Sequence, residues 1–508
     1  MARSRLRPAV ALLAGALVAT MAACSAGSTS APSAAGNGSA LTIGLFAEPA
    51  NLDFTRTDGA AIPEALLENV YEGLVKIDQA DGKILPALAE SWTVSPDGLT
   101  YDFTLRKDVT FSNGQPFTAD DVKFSIERVK SADWTISLKK GMDVVKSVEV
   151  VSPTQARVVL SQPSNGWLFR MTTRIGAMFD ASGVGDLANK PVGTGPYAVA
   201  EFRRGDSLKL TARDDYWGPK PAMKDVTLRY FKDPTAATNA LLTGGIDVIG
   251  TVQAPETLAQ FTNNVRFQVI EGTTNGEVTL AMNNASGPTS DVRVRRALAM
   301  AIDHDAVMKT AWAGHGTLID SMVAPTDPWF QKLPDVTPYN PDAARALLAQ
   351  AGQSNLKLRF RIANLPYAVA AAQVVQSQLK AVGIDAQIEP LEFPARWLEE
   401  VFKRADYDLS IVAHVEPRDI TTFANPDYYW RYNNPEVQRL INAAETGPKD
   451  QQVSNMQQTA RIIAQDAAAD WLFLLPNLIV ATPDIKGLPV NRIGESFELA
   501  PLSRTQVR

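Results

Sequence analysis

Residues 356–388 hold the pattern that most restricts how this chain can fold. Apolar and polar residues alternate from Leu356 to Ile362, a helical spacing runs from Pro366 to Ala381, and alternation returns from Ile384 to Ile388. Such alternation is typical of a half-buried strand. Two strands joined by a helix pair in parallel through a right-handed crossover. The sequence therefore predicts an α/β fold.

Length and composition set broad limits on the class of protein. The chain has 508 residues, of which 45% are hydrophobic and 20% charged, as is ordinary for a soluble globular protein. This length allows two or three domains with a sizeable core. The formal net charge is −6, whereas phosphate binding requires a basic surface. The composition therefore argues against a nucleic-acid partner.

The sequence lacks the short motifs that mark common active sites. Its three histidines, His304, His315 and His414, are scattered, and no two stand at a metal-ligand spacing. A G-x-S-x-G nucleophile turn and a G-x-x-x-x-G-K-[ST] phosphate loop are both missing. We therefore expect a protein that is not an enzyme and that holds neither a cofactor nor a metal ion.

The first 24 residues have the layout of an export signal. Three arginines within residues 3–7 precede an apolar stretch from Ala9 to Thr20, which is too short for an ordinary membrane-spanning helix. Met21–Cys24 (MAAC) resembles the lipobox of bacterial lipoproteins, which implies cleavage before Cys24 and lipidation of its thiol. The alternative is an ordinary secretory signal that leaves Cys24, the only cysteine, free.

Residues 25–40 (SAGSTSAPSAAGNGSA) are small, polar and glycine-bearing. Such a composition is typical of a flexible linker. We expect this segment to tether a folded body to a membrane through the lipid on Cys24.

The pattern of residues 191–250 predicts turns and short strands followed by a helix and a strand. This segment is expected to be structural, since it contains no nucleophile–base pair and no metal-ligand cluster. Three of their segments, Pro191–Tyr197 (PVGTGPY), Asp215–Gly218 (DYWG) and Leu242–Asp247 (LTGGID), resemble the extracytoplasmic solute-binding proteins of ABC importers. The branch in question is the bacterial family 5 type, which takes up dipeptides, oligopeptides and nickel chelates. Matching segments recur from about Leu41 to at least Gly352.

The resemblance implies a two-lobed, periplasmic-binding-protein-like α/β fold with mixed sheets and an extra N-terminal subdomain in the first lobe. The corresponding domain boundaries are 41–270 for the first lobe, with the subdomain at about 60–190, 271–475 for the second lobe, and 476–508 for a C-terminal return to the first lobe.

Local patterns in the first lobe give further expectations. Residues 64–77 have the apolar spacing of an amphipathic helix. Residues 92–105 contain the turn S-P-D-G between two alternating runs, which predicts a hairpin. Thr118 with Asp121 three residues later predicts a capping box at the start of a helix.

The segment from His414 to Arg431 is the best candidate for a ligand-facing loop. It follows the strand predicted from Tyr407 to Ala413, and in open α/β sheets ligands bind beyond the carboxyl ends of strands. It is also long, with charges of both signs and three consecutive aromatic residues, and long irregular loops are usually functional. The alternative is a surface loop whose aromatic side chains pack beneath it.

The resemblance also implies roles for single residues. In peptide-binding relatives an acidic side chain on this loop takes the amino group of the ligand and basic groups take its carboxylate, which points to Asp419 or Glu416 for the amine and Arg418 for the carboxylate. The family places the loop that contains Asn51 near the ligand. The full set of ligand-binding candidates is Asn51, Asn283, Trp397, His414, Glu416, Arg418, Asp419, Tyr428, Tyr429 and Trp430.

The sequence thus predicts a monomeric, lipid-anchored solute-binding protein on the extracytoplasmic face of a bacterial cell membrane. Its expected partners are a peptide or peptide-like ligand and the permease subunits of an ABC importer with their ATPase. Two alternatives remain open. One is a binder of a metal chelate or another non-peptide solute, and the other is a surface scaffold or sensor without a transport role.

Overall fold

A computed structural model describes residues 38–353 and 355–505. The predicted signal peptide, Cys24 and nearly all of the tether lie outside the described residues. Within the described part, no helix is long and apolar enough to cross a membrane.

The described residues form 18 strands, most of them in one large mixed sheet. In chain order they are β1 (Ala40–Leu45), β2 (Val75–Ile77), β3 (Ile84–Pro86), β4 (Ala89–Val94), β5 (Thr100–Leu105), β6 (Val145–Ser152), β7 (Gln155–Leu160), β8 (Tyr197–Arg203), β9 (Ser207–Ala212), β10 (Asp225–Tyr230), β11 (Val248–Ile249), β12 (Gln268–Met282), β13 (Leu356–Ala363), β14 (Ile384–Leu391), β15 (Leu409–His414), β16 (Ala469–Ala481), β17 (Ile485–Lys486) and β18 (Ser503–Arg504).

The same residues form 12 α-helices, together with several short 3₁₀ helices and one π-helical segment, Leu398–Lys403. In chain order they are α1 (Ala61–Leu66), α2 (Ala119–Lys130), α3 (Trp167–Arg170), α4 (Pro234–Leu242), α5 (Ala259–Thr262), α6 (Val292–Met300), α7 (His304–Ala311), α8 (Pro341–Gln350), α9 (Pro366–Ala381), α10 (Ala395–Trp397), α11 (Pro435–Thr446) and α12 (Gln452–Gln465).

The crossover predicted from residues 356–388 is confirmed. Strand β13 pairs in parallel with β14, from Leu356 opposite Ile384 to Ala363 opposite Leu391, and α9 connects the two strands. The large sheet has the order β14-β13-β15-β12-β16-β11-β1-β10-β9-β8 and contains both parallel and antiparallel neighbours. The α/β class with a mixed sheet is therefore confirmed.

A large hydrophobic core lies in the first lobe. It joins buried side chains of β1, β5, β10 and α2, and the C-terminal residues Phe497, Leu499 and Leu502 pack in it as well. The described end of the chain therefore lies in the first lobe. The boundaries of the lobes themselves stay predictions.

Two further cores define the second lobe, on opposite faces of the same sheet. One is covered by α6 and α9, and the other by α11 and α12. Leu280 and Ala281 of β12 belong to different cores, because successive side chains of a strand point to opposite faces. Strands in this lobe are consequently buried on both sides.

Strands β12 and β16 run together through both lobes. Their register shifts between Thr273 and Glu277, where the chain passes from one set of cores to the other. Thr274 Oγ1 donates a hydrogen bond to the carbonyl of Leu475 at 2.6 Å in this irregular stretch. A Cβ on Gly272 would stand 1.8 Å from the carbonyl oxygen of Val490, so only glycine fits there. This crossing is where the two lobes are joined.

The first lobe carries a separate four-stranded sheet of order β4-β5-β7-β6, packed against α2. The predicted hairpin is confirmed as the antiparallel pair β4–β5. The predicted capping box is also confirmed, since the backbone N–H of Thr118 donates to Asp121 Oδ2 at 2.8 Å. This sheet lies inside the range predicted for the extra subdomain.

The prediction of a long helix at residues 64–77 is wrong. Helix α1 ends at Leu66, Glu68 adopts a left-handed conformation with φ of 61°, and β2 begins at Val75. The apolar side chains that suggested one helical face are instead enclosed on all sides, because this segment threads the first core. The spacing of the apolar residues in 64–77 therefore resembles that of an amphipathic helix, although no such helix forms there.

Candidate functional site

The candidate site begins where β12 and β15 lie side by side at the lobe junction. Glu277, the first residue after the register shift in β12, is directly opposite His414, the last residue of β15. After His414 the chain leaves the sheet, and Arg418 takes a left-handed conformation with φ of 62° before a short 3₁₀ helix, Asp419–Ala424. This local turn brings the polar side chains of the loop back beside the strand end.

His414 is held on both of its ring nitrogens. Its Nε2 lies 2.9 Å from the hydroxyl of Tyr429, and its Nδ1 lies 3.0 Å from Asp419 Oδ2. The imidazole is 6% exposed and stacks with the Tyr429 ring at a centroid distance of 5.8 Å. His414 therefore orients Asp419 from inside the second lobe.

Carboxylates gather around this histidine. One ligand atom from each of His414, Glu416 and Asp419 lies within 4.8 Å of the others. Burial raises the pKa of Glu277 well above its ordinary value, and the negative charge of Asp419 raises it further. Burial and Asp419 likewise raise the pKa of Glu416. The cluster therefore favours binding of positive charge, whether protons or a cation.

Arg418 reaches from the second lobe to the first. Its guanidinium carbon lies 3.5 Å from the centre of the Phe169 ring and 5.1 Å from that of Trp329. Its Nε is 3.7 Å from Asp327 Oδ1. Burial lowers the pKa of Arg418 to about 10, and burial raises that of Asp327 to about 6 although Arg418 opposes the rise. Burial therefore makes the charged forms of both Arg418 and Asp327 energetically unfavourable.

The first lobe contributes a second buried arginine. Arg174 is 2% exposed and donates from Nε to Glu495 Oε1 at 2.6 Å and from Nη1 to the carbonyl of Gly59 at 2.9 Å. Burial acts to lower the pKa of Arg174, but Glu495 and the more distant Glu416 outweigh it and the pKa is raised. Arg174 lies at the edge of the cluster, and its positive charge is already balanced by Glu495.

Next to this cluster, residues 164–170 of the first lobe bind α11 of the second. The backbone N–H of Asn165 donates to the carbonyl of Glu445 at 2.8 Å, and its side-chain amide donates to the carbonyls of Ala444 and Gly447 at 2.9 and 3.0 Å. Ser164 Oγ and Arg170 Nη1 both donate to Glu445 Oε1. We call residues 164–170 and 444–447 the interlobe latch. It holds the two lobes together in this structure.

Most of the predicted aromatic residues lie beneath the loop. Trp397, Tyr429 and Trp430 are 3%, 0% and 0% exposed and belong to a core of the second lobe. Trp397 donates from Nε1 to Ser410 Oγ at 3.1 Å, and Trp430 stacks on Phe423 at 4.2 Å. Their placement agrees with the alternative in which the aromatic side chains support the loop. A direct contact with a solute stays a prediction for them.

Tyr428 occupies the half-buried position above these rings, edge-on to Phe402 at 5.3 Å and 6.4 Å from His414 between ring centroids. It is thus the aromatic candidate nearest to the surface of the cluster.

The two predicted asparagines form hydrogen bonds with residues outside the cluster. Asn51 accepts from the backbone N–H of Asp53 and donates to Thr57 Oγ1, both at 2.8 Å, so it shapes its own loop. Asn283 donates to the carbonyls of Ala405 and Tyr407. It follows β12 six residues beyond Glu277, about 20 Å away along a strand. A ligand contact remains a prediction for both.

Two pockets open elsewhere in the described residues. One is lined by apolar and uncharged side chains around Phe46 and Phe231 in the first lobe. The other lies beside His304 and Asp470 in the second lobe. Neither lining includes a residue of the charged cluster, which the closed lobes cover in this structure.

Sequence reasoning missed the residues that complete the cluster. These are Glu277, Asp327, Trp329, Phe169 and Arg174. Glu277 offered a signal, because it begins an otherwise apolar strand. The other four form two pairs that are close in sequence, Phe169 with Arg174 in short helical segments of the first lobe and Asp327 with Trp329 between α7 and α8, and only the assembled lobes bring them to the loop.

Comparison with known proteins identifies the family of this chain. The family model described as "Bacterial extracellular solute-binding proteins, family 5 Middle" matches residues 83–434, more than half of the chain. The chain belongs to this family of solute-binding proteins. Family membership agrees with a charged cluster enclosed between two lobes, and the recognition made from PVGTGPY, DYWG and LTGGID is confirmed.

Similar proteins from other organisms cover nearly the whole chain. The "Probable ABC transporter periplasmic-binding protein SapA" of Escherichia coli K12 is 28% identical over 491 residues, which covers 87% of this chain and 88% of SapA. Crystal structures of NikZ from Campylobacter jejuni with Ni(L-His) and of a dipeptide-binding protein from Pseudoalteromonas sp. SM9913 with Met-Leu have TM-scores of 0.80 and 0.81. Each is 22% identical and covers 92% of this chain, and this chain spans 100% of each. The two-lobed, periplasmic-binding-protein-like fold is therefore confirmed.

Proposed function

We propose that this family 5 protein is the lipid-anchored substrate-binding component of an ABC importer and that it captures a small amine-bearing solute, a peptide or peptide-like compound, between its lobes. The observation that carries the proposal concerns Asp419 and Glu277, which are 8% and 3% exposed. Among the described residues, Glu277 Oε2 has no hydrogen-bond partner, and Asp419 Oδ2 lies 3.0 Å from His414 Nδ1.

Unsatisfied buried carboxylate oxygens are costly, so a protein retains them where something else supplies the missing donors. An ammonium group offers three N–H donors together with the opposite charge. Asp419, with Glu416 beside it, is placed to receive the amine of a solute. Arg418 Nε also lacks a hydrogen-bond partner among the described residues and is placed to donate to a carboxylate.

The contacts between the lobes support capture by closure. The interlobe latch and the stack of Arg418 on Phe169 join residues far apart in sequence across the lobe junction. Hinge closure buries most of a small ligand and strengthens its electrostatic contacts by excluding water. Opening breaks these contacts and exposes the cluster, which gives the solute a route in and out.

The family and the N-terminal sequence support a proposal for the location and the partners of the protein. The lipid on Cys24 holds the protein on the extracytoplasmic face of the membrane, where residues 25–40 let a monomeric folded body reach the permease subunits. Coupling to ATP hydrolysis belongs to their ATPase. Replacement of Cys24 by serine, followed by fractionation of cells and labelling with a palmitate analogue, tests this part. Persistent labelling and membrane retention of the variant would refute the anchor.

A metal chelate is the second candidate solute. It is favoured by the grouping of His414, Glu416 and Asp419, whose ligand atoms lie within 4.8 Å of one another. Nitrogen and carboxylate ligands together suit divalent transition metals. The NikZ complex with Ni(L-His) shows that this fold accommodates such a solute in a relative.

Thermal shift of the purified full-length protein against dipeptides, amines, nickel–histidine and sugars tests the proposal. We expect stabilisation by amine-bearing compounds at micromolar to millimolar concentration, since ligand binding raises stability by RT ln(1 + [L]/Kd). Stabilisation by nickel–histidine alone would support the chelate candidate. Failure of every compound in the panel to stabilise the protein would contradict a transport role and support a surface scaffold.

A further inference from the structure

We propose that a single ammonium group of the solute bridges two carboxylates, that of Glu277 on the sheet and that of Asp419 on the loop. Glu277 is then a specificity-determining residue of the site, and the solute must carry a primary or secondary amine. The inference rests on the proposed function and deepens it, because it adds a second acceptor for the amine and fixes how many N–H donors the amine needs.

Glu277 is held in a fixed position by strands on both sides. In β12 it lies opposite His414 of β15 and opposite Leu474 of β16. The residue is 3% exposed, and its Oε2 has no hydrogen-bond partner among the described residues. Buried polar atoms in proteins are normally hydrogen-bonded. The missing donor must therefore come from a group that enters the site.

The arginines beside the cluster are engaged with other carboxylates. Arg174 donates from Nε to Glu495 Oε1 at 2.6 Å, and its positive charge also opposes the rise in the pKa of Glu416. Arg418 Nε lies 3.7 Å from Asp327 Oδ1. Neither arginine supplies the donor that the free carboxylate oxygen on β12 lacks.

Carboxylates dominate the surroundings of Glu277. Burial raises its pKa well above the ordinary value, and the negative charges of Asp419, Asp327 and Glu416 raise it further. The carboxyl group therefore favours its protonated form as long as no positive charge faces it. An ammonium group against Oε2 favours the ionised form instead, and an ionised carboxylate accepts a shorter and stronger hydrogen bond. A neutral donor brings no such charge.

Asp419 lies within reach of the same ammonium group. Directly opposed residues of adjacent strands have neighbouring side chains on one face of the sheet, so Glu277 and His414 lie side by side. Asp419 Oδ2 is 3.0 Å from Nδ1 of that imidazole. This contact orients Asp419 and leaves its Oδ1 for the solute. The two carboxylates therefore flank one place beside the imidazole, one from the sheet and one from the loop.

The need for two acceptors sets the number of N–H donors. The N–H bonds of an ammonium nitrogen point in different directions, so one nitrogen can donate to acceptors on two elements at once. A primary ammonium group has three such bonds, a secondary group two and a tertiary group one. A tertiary group keeps the positive charge but leaves one of the two carboxylates without its hydrogen bond, and an unsatisfied buried acceptor is costly.

Calorimetric titration of the full-length protein with three forms of alanyl-leucine tests the donor count. At about pH 6.5, below the ordinary pKa of an α-amino group, the parent compound and its N-methyl and N,N-dimethyl derivatives carry the same charges. We expect the first methyl group to change the affinity less than about threefold and the second to weaken binding at least about tenfold.

Equal affinities of the N-methyl and N,N-dimethyl compounds would overturn the bridge and leave the proposed function intact. Failure of all three compounds to bind would contradict both.

Substitution of Glu277 separates the donor count from the bulk of the methyl groups. Glu277→Leu has no acceptor at this position, so the second methyl group should change its affinity less than about threefold. Glu277→Gln keeps the shape but loses the charge, and the parent compound should bind it about tenfold more weakly. Glu271→Gln, on the same strand but half-exposed beside His315, is the matched control and should bind all three compounds like the unmodified protein.

Two results would refute the role of Glu277. One is a tenfold effect of the second methyl group that persists in Glu277→Leu, because the loss would then be steric. The other is an unchanged affinity of Glu277→Gln for the parent compound.

Discussion

Arg170 of the first lobe and Glu445 of the second form an ion pair across the lobe junction, with Nη1 and Oε1 2.6 Å apart. Ser164 Oγ donates to the same oxygen at 2.5 Å. Burial acts to raise the pKa of Glu445, but Arg170 and Ser164 outweigh it and hold the pKa below its ordinary value. The carboxylate is therefore charged and fully engaged when the lobes are together, and it loses these partners when they part.

Glu445→Gln is expected to weaken solute binding by about tenfold. The amide keeps the shape but loses a charged hydrogen bond that exists only in the closed form, at a cost of about 1.5 kcal/mol. Calorimetry measures the affinity, and small-angle X-ray scattering measures the larger radius of gyration of the solute-bound variant.

Glu436→Gln is the control for the latch. It lies on the same helix α11 and also faces an arginine, but that pair with Arg439 is exposed and does not cross the lobes. Its affinity should match the unmodified protein. Equal affinities of the two variants would show that the Arg170–Glu445 pair does not contribute to closure.

Phe169→Leu should also weaken binding, because it removes the ring that covers the Arg418 guanidinium from the other lobe. A cation–π contact away from water contributes about 2 kcal/mol, or roughly 30-fold in affinity. Phe231→Leu is the matched control, since Arg229 lies 5.1 Å above that ring within the first lobe only. If both variants bind alike, the stack has no role in closure.

Glu277→Gln is expected to stabilise the solute-free protein near neutral pH. The pKa of Glu277 is raised on folding by burial and by Asp419, with Asp327 and Glu416 adding to the effect. A carboxyl with a raised pKa favours the folded state below its unfolded pKa, and this contribution is lost as pH rises through the folded pKa. Glutamine has no charge to lose over that window.

Thermal unfolding at two pH values measures this effect. The melting temperature of Glu277→Gln should exceed that of the unmodified protein by about 2 °C or more at about pH 8, and the difference should vanish at about pH 4. Glu271→Gln, on the same strand but half-exposed beside His315, serves as the control. A variant that melts lower than the parent at both pH values would mean that Glu277 is a stabilising structural carboxylate.

Gly272→Ala tests the place where the lobes are joined. Its Cβ would stand 1.8 Å from the carbonyl oxygen of Val490, so the strand crossing must shift, and such overpacking costs about 1–3 kcal/mol. Gly185→Ala is the control, because no atom lies within 4 Å of its added Cβ. Chemical unfolding compares the two free energies, and an unchanged value for Gly272→Ala would contradict the tight crossing.

Local sequence patterns correctly predicted the elements that depend on residues close together in the chain. The crossover of residues 356–388, the capping box at Thr118 and the hairpin at residues 92–105 depend on neighbours a few positions away, and all three are confirmed. The helix expected at residues 64–77 is wrong because its apolar residues are enclosed on every side, and periodicity alone does not distinguish an enclosed segment from one amphipathic face.

The sequence by itself determined the family, the α/β class and the loop that gathers His414, Glu416, Arg418 and Asp419, because these follow from motifs and from residues adjacent in the chain. Only the tertiary structure decided which distant groups complete the site. Glu277 and Asp327 precede the loop by more than 80 positions, and Phe169 comes from the other lobe. The physical reason is that the charge balance of a buried site depends on distances through space, which are set when the two lobes meet.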